Sequence, residues 1–506
     1  MTLCGLRSKC QQRERRDIAP REGAMSKNIK SISNPKLKLE VLTAEEVKKI
    51  HEATLWIVEN VGVRFPSNRA LEIWEASGAA VDRDKKIVRV KGDLIEEALT
   101  RCPPAYPLAA RDPGQDLRLD GNHVYLGTDG CGVEVIDIHT GQKRTSCLQD
   151  VREIARVADA TEEVAFHWVA VSAQDAPVEA RGLHEIKAVW ENSTKHVQTE
   201  SIYNVHEAEA SMEMAALIVG GKDKLRERPV LSLMQCTAPP LGHDGGSLDA
   251  ALIAAEHGIP TGFMTMASCL TTGPATMAGT LAVGNAEVIA ATALLQLAHP
   301  GAPVFYAAAQ TASDLRTGAY TGGGPEDFLF GAATNALSNF YNIPLSMGAF
   351  ATGAKEPNWQ AGIEGSLSTF MASVVVSDML LGCGFLHGSR IWSYAEMMMD
   401  CEIFSIIHKM MQGIEVSEET LALETIASVG PGGHYLAQKH TRRHMRDLFL
   451  PQFMDRRPYS EWEAKQDNAR DWATAKARRI LGEHSPEPLD PKISTEMDRI
   501  IESVEK

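Results

Sequence analysis

From residue 148 onward the chain repeats one pattern, a run of about six residues rich in apolar or small side chains followed by a helical stretch rich in Ala, Leu and Met. Seven such runs stand at 167–173, 196–200, 230–236, 262–267, 304–309, 345–349 and 380–385, and helical stretches such as 275–297 and 361–379 lie between them. Most of the runs lack the polar alternation of a half-exposed strand, as a strand covered on both faces should. An eighth is indistinct, with 435–438 as its candidate. The repeat predicts an α/β fold, either a closed (β/α)8 TIM barrel or a doubly wound open sheet, and periodicity alone leaves both open.

The flanks read differently. Thr43 followed by Glu46 is a capping box, and the apolar spacing Val47, Ile50, Ala53, Ile57, Val58, Val61 predicts an amphipathic helix behind it. Between 80 and 142 short strand-like pieces at 88–90, 123–126 and 133–138 alternate with Asp-Gly and Thr-Gly turn signals. The expected division is therefore a disordered extension over 1–36, an N-terminal α+β region over 37–147, the barrel over 148–440 and a helical C-terminal arm over 441–506. Met25 is a second possible start within the extension. The arm carries Trp462 and Trp472 and is expected to pack across the barrel or onto a second subunit.

A core of that size is available: 44% of the 506 residues are hydrophobic and 23% charged, which excludes disorder for most of the chain. Asp and Glu (66) outnumber Lys and Arg (51), and the net charge of −15 argues against coating nucleic acid or an anionic membrane. No uncharged apolar run reaches the roughly 18 residues of a membrane span. The nine cysteines are scattered singly with no C-x-x-C, so neither a disulfide framework nor a zinc knuckle is expected. These features, with no signal-like apolar stretch at the start, point to a cytoplasmic enzyme.

The usual catalytic signatures are absent: no G-x-x-x-x-G-K-[ST] loop, no H-E-x-x-H and no G-x-S-x-G. Gly322-Gly323-Gly324 lacks the Lys-Ser/Thr that would complete a phosphate loop. A barrel builds its site at the C-terminal ends of its strands, and there the sequence offers mostly amides, small residues and rings. Gln174, Glu200, Gln235, Cys236 and Gln310 are among the polar ones. Aromatics make up only 6% of the chain, yet Trp168, Phe263, Phe305, Tyr306, Trp359, Trp392 and Tyr394 sit in or just after the strand runs. Rings gathered at a barrel mouth suit a quaternary ammonium group, each desolvated contact contributing up to about 2 kcal/mol. His440 and His444 have i, i+4 spacing, but no nearby carboxylate or Cys completes a set, so no bound metal is expected.

Three stretches together resemble the trimethylamine methyltransferase (MttB) family: GNAEVIAATALLQLAHPGAPVFY (284–306), KEPNWQAGIEG (355–365) and GPGGHYLAQKHTRRHMRDLFLPQFMDRRPYSEWE (430–463). The resemblance runs from about Leu42 to the C-terminus. It implies a TIM barrel and transfer of a methyl group from a methylated amine to Co(I) of a corrinoid (cobalamin) carried by a separate partner protein. A homo-oligomer is also expected. Some members carry pyrrolysine at the barrel site, and this chain has only the twenty standard residues. That departure implies a quaternary amine such as glycine betaine, whose nitrogen is already charged and leaves as a neutral tertiary amine without a proton.

On that reading Trp168, Phe263, Tyr306 and Trp359 are the expected ring contacts to the ammonium, Gln310 and Gln360 orient the ligand, and Arg390 or His434 binds a carboxylate. Glu200 and Glu364 add negative charge. The alternatives are another methyl donor, a barrel lyase or aldolase with a Schiff base on Lys355, and a betaine-binding protein without turnover.

Overall fold

The computed structural model describes residues 29–35, 39–130, 132–320 and 322–506. Eight parallel strands close on themselves: β1 (His123–Thr128), β2 (Val164–Trp168), β3 (His196–Thr199), β4 (Leu231–Cys236), β5 (Thr261–Thr265), β6 (Val304–Ala308), β7 (Leu345–Gly348) and β8 (Met379–Cys383). β8 pairs with β1, so neither is an edge and the open-sheet alternative falls. A helix follows each strand: α1 (Leu148–Ala160), α2 (Arg181–Asn192), α3 (Val205–Val219), α4 (Gly245–Glu256), α5 (Met277–Ala298), α6 (Pro325–Tyr341), α7 (Trp359–Val374) and α8 (Tyr394–Met411).

The eighth strand is His123–Thr128 and not 435–438, which is irregular and exposed. The barrel thus begins before residue 148, inside the stretch expected to belong to the N-terminal region. The first βα connection hides this, because it holds a hairpin, Glu134–Ile136 with Lys143–Thr145, that breaks the strand-then-helix rhythm. That hairpin pairs with Ile391–Ser393 from the β8–α8 connection and forms a small sheet over one side of the barrel.

Inside the barrel large rings lie against glycines. A Cβ on Gly127 would sit 2.4 Å from the Phe166 ring, and one on Gly262 would sit 2.0 Å from Phe305, so these strand positions admit no side chain. The end of the barrel where the strands start is closed by the hairpin Tyr106–Leu108 with Leu117–Leu119, whose apolar side chains join the inner cluster. The Tyr106 hydroxyl donates to the Val304 carbonyl at the start of β6, 2.7 Å away. Access is therefore left to the other end.

The helix Ala44–Asn60 carries the expected capping box and packs against α5. By length and hydropathy α5 alone, among the described residues, is long and apolar enough to cross a membrane, but 83% of that window is buried inside the protein. Most of the expected 1–36 extension lies outside the described residues, although Ser31–Ser33 adds an antiparallel strand beside β1. At the other terminus Ala469–Glu483 packs on α8 and α1, and Pro491–Val504 on α3 and α2.

Candidate active site

The C-terminal ends of the strands surround one cavity of about 250 Å³. Strand alternation decides what reaches it. On β3 the inward column is His196, Gln198 and then Glu200, just past the strand end. Ser232 bridges the first two, lying 2.9 Å from His196 Nε2 and donating to Gln198 Oε1 at 3.3 Å, while the Gln198 amide nitrogen meets no acceptor among the described residues. Glu200 has no such neighbour. It is 5% exposed, faces the cavity, and among the described residues its carboxylate has no hydrogen bond or ion pair. Burial, and then the negative charge of Asp129, push its pKa up to about 8.

Two further carboxylates line the same space. Asp129, immediately after β1, accepts hydrogen bonds from the Ser389 hydroxyl and, at 3.0 Å, from the Gly130 amide, yet burial still lifts it to about 6. Asp327, in the first turn of α6, accepts from the Gly324 amide at 3.2 Å and is also raised by burial to about 6. Hydrogen bonds that favour the ionised form thus lose to desolvation at each. The one basic side chain on the cavity wall is Arg390, exposed at the rim, and its guanidinium has no acidic partner among the described residues.

Trp168 ends β2 with its ring in the cavity wall, 2% exposed, and its indole N–H meets no acceptor among the described residues. A Cβ on Gly130 would lie 2.5 Å from the indole, so glycine there lets the ring lie flat on the backbone. Cys236, at the end of β4, also lines the cavity. Burial together with the charges of Glu200 and Asp129 pushes its thiol far up, which keeps it protonated and a poor nucleophile.

Of the residues expected from sequence, Trp168, Gln310 and Arg390 are brought together here, with Glu200. Gln310 is held in place by donating to the Thr280 carbonyl at 2.9 Å. Six others, Phe263, Tyr306, Trp359, Gln360, Glu364 and His434, are not at the cavity. Phe263 and Tyr306 are neighbours across the β5–β6 ladder, but both point outward to the helices. Phe263 meets the edge of His243, and the Tyr306 hydroxyl donates to Asn285 of α5 at 3.1 Å. The inward side chains next to them are Met264 and Phe305, since a shift of one residue along a strand exchanges the faces. Trp359 opens α7 and is 80% exposed. Gln360 donates to Glu364 at 3.0 Å, and Glu364 in turn accepts from the Gly353 amide, so this pair fixes the loop after β7. His434 is exposed on the segment after α8.

The rival readings lose their residues too. Lys355 is exposed, its ammonium reaches the Gly353 carbonyl, and it lines a separate groove with Arg470 and Arg478. The glycine run before α6 is packed tightly, a Cβ on Gly323 falling 2.5 Å from the Ala351 carbonyl. The His440 and His444 rings lie 4.4 Å apart, tilted by 36°, with His444 paired to Asp447 and Glu419. Asp129 and Asp327 were not legible as site residues. Asp129 follows the strand that the rhythm concealed, and Asp327 has the sequence position of an ordinary helix cap.

Residues 7–505 match the family model described as trimethylamine methyltransferase (MTTB). Trimethylamine methyltransferase MttB of Desulfitobacterium hafniense (strain DSM 10664 / DCB-2) is 33% identical over 464 residues, covering 91% of this chain and 93% of the relative. Glycine betaine methyltransferase of Desulfitobacterium hafniense (strain Y51) is 33% identical over 467 residues, covering 92% and 97%. The solved Methanosarcina barkeri monomethylamine methyltransferase (MtmB) aligns with 86% of this chain and 92% of its own, with a TM-score of 0.49 and 12% identity. A family model spanning nearly the whole length, and relatives a third identical from end to end, place the chain in the trimethylamine methyltransferase (MTTB) family.

Proposed function

We propose that the protein moves a methyl group from a quaternary amine of the glycine betaine type to the cobalt of a corrinoid carried on a separate protein. The observation that carries this is Glu200, a buried carboxylate that faces the cavity without a partner. An unpaired buried carboxylate is costly, and a bound cation relieves it. Asp129 and Asp327 add to the same negative wall, and the Trp168 face offers the cation–π contact that a quaternary nitrogen, with no N–H to donate, can use.

The single guanidinium at the rim favours a zwitterion over a simple cation. With the ammonium against Glu200 and Trp168, Arg390 is available to take a substrate carboxylate, by paired hydrogen bonds where the geometry allows. Methyl transfer from such a substrate releases a neutral tertiary amine, so the site needs no acid or base. Its residues desolvate the cation, orient one N–CH3 bond toward the mouth and exclude water. The Cys236 thiol, held protonated, does not compete for the methyl group.

The open mouth and closed base suit a methyl acceptor that arrives on another protein. When bound, the reduced corrinoid supplies the nucleophile. The family relatives named for trimethylamine and for glycine betaine support the methylated-amine class. The test is visible absorbance of reduced cob(I)alamin with this protein and a panel of glycine betaine, carnitine, proline betaine and trimethylamine. Methylated cobalamin formed with a betaine and not with trimethylamine is the expected result. Turnover of trimethylamine alone would overturn the zwitterion assignment, and no turnover with any of the four would overturn the donor class.

A further inference from the structure

A betaine brings one positive and one negative charge, and the cavity meets the first with Glu200 and the second with Arg390. Two carboxylates are then left over. Asp129 and Asp327 line the same cavity, and among the described residues neither is paired with a basic side chain. Burial lifts both only to about 6, which leaves them mostly ionised at neutral pH. Charge held in a closed space without a counter-charge is costly, and Glu200, 5% exposed and unpartnered, marks this space as one that receives cations.

The strands fix where the surplus lies. Around the barrel they run β3, β2, β1, β8, so Asp129, just after β1, stands between Arg390 and the wall formed by Glu200 and Trp168. Ser389, whose hydroxyl donates to Asp129, is the residue before Arg390, which sets an acid beside the guanidinium. Asp327 comes from the start of α6. Its Oδ2 accepts from the Gly324 amide and caps the helix, while its Oδ1 is buried and meets no donor among the described residues. The charges of both aspartates act on the phenol of Tyr320, which also lines the cavity, so the two face one space. A carboxylate oxygen without a donor is satisfied by an N–H, and a quaternary nitrogen has none to give.

We infer that the methyl donor is an amino acid whose side chain ends in a trimethylammonium group, with its quaternary nitrogen against Glu200 and Trp168, its α-carboxylate on Arg390 and its α-ammonium donating to Asp129 and Asp327. This rests on the quaternary-amine reading above and narrows it from a zwitterion with one positive centre to one with two. The charge count decides between them. Three carboxylates against one guanidinium leave the cavity an excess of two negative charges; a betaine leaves that excess as it is, and a second ammonium halves it. The transfer itself is the same for both. The C–N bond breaks with its electron pair left on nitrogen, the methyl carbon bonds to cobalt through the electron pair of the reduced corrinoid, and the dimethylamino product leaves with that nitrogen neutral.

Nε-trimethyllysine and its desamino analogue test this, because they share the chain, the quaternary nitrogen and the carboxylate and differ only in the α-ammonium. Calorimetric titration and methylation of cob(I)alamin by the wild-type protein should both favour Nε-trimethyllysine by about 10- to 100-fold, the effect of a hydrogen bond between charged groups. Glycine betaine, the reference ligand, should be turned over more slowly than Nε-trimethyllysine. In Asp327→Asn, whose amide oxygen still caps α6, and in Asp129→Asn the preference for Nε-trimethyllysine over the desamino analogue should shrink, with thermal melts confirming that each variant is folded. Equal affinity for the two ligands in the wild type, or a preference that survives both substitutions, would overturn the inference, and cobalamin methylated by the analogue or by glycine betaine in the same experiment would leave the quaternary-amine reading standing. Methylation by none of the three would overturn that reading as well.

Discussion

Replacing Glu200 by Gln keeps the shape of the side chain and removes its charge. At about 5 Å and an effective dielectric near 20, a carboxylate and an ammonium attract by about 3 kcal/mol. The wild-type residue does not deliver all of that at neutral pH, because its pKa in the empty site is pushed up to about 8. Ionising it at pH 7 costs about 1.4 kcal/mol, leaving a net contribution of roughly 2 kcal/mol, or about 30-fold in affinity. At pH 9 that cost vanishes, and the gap between wild type and Glu200→Gln should widen to more than about 100-fold. Stability should move in the opposite sense. The folded protein holds the Glu200 proton more tightly than the unfolded chain, whose carboxylate titrates near its ordinary 4.5. The ligand-free wild type therefore loses stability as pH rises from about 4.5 through 8, and Glu200→Gln should escape that loss. The two melting temperatures should agree near pH 4 and separate in the variant's favour by pH 9. Calorimetric titration with glycine betaine between pH 6 and 9, paired with thermal melts of the ligand-free chains, measures both. Equal affinities at pH 9, or a variant less stable by the same margin at every pH, would refute an unpartnered, cation-seeking carboxylate.

Further perturbations separate the cavity residues from those that only share their strands. Trp168→Leu should weaken binding of any quaternary amine by up to about 2 kcal/mol, roughly 30-fold, read by the same titration. Gly130→Ala, whose added methyl would meet the indole at 2.5 Å, should raise KM with little change in the melt. Arg390→Ala should cost glycine betaine about 1.5–3 kcal/mol through the lost charged hydrogen bonds, while tetramethylammonium binds as before; equal losses for both ligands would remove the carboxylate role. Tyr306→Phe leaves Asn285 Oδ1 unmet and should lower stability by about 1–3 kcal/mol, with unchanged kcat and KM per folded molecule. A KM effect at Tyr306 would mean that this ring does reach the substrate.

The barrel could be read from sequence because strands buried on both faces leave apolar runs at a regular spacing, and seven of the eight do so here. The eighth was hidden for a local reason: the hairpin over 134–145 separates β1 from α1, the helix that follows it. That one omission carried Asp129 with it, since the end of the strand-like piece at 123–126 counts as a site position only when that strand is known to belong to the barrel. The choice among rings failed for a different reason. Phe263 and Tyr306 lie in buried strands in which both faces are apolar, so hydropathy cannot tell the barrel side from the helix side, and the register that decides it is a tertiary fact. Trp168 rests on the same reading, a ring in a strand run, and it does reach the cavity, where the lack of a Cβ on Gly130 leaves room for its indole. Glu200 marks the limit of pattern reading. Its type and position were visible in the sequence, but its meaning depends on an absence, the lack of any donor or cation around a buried carboxylate, and only the packed structure displays that.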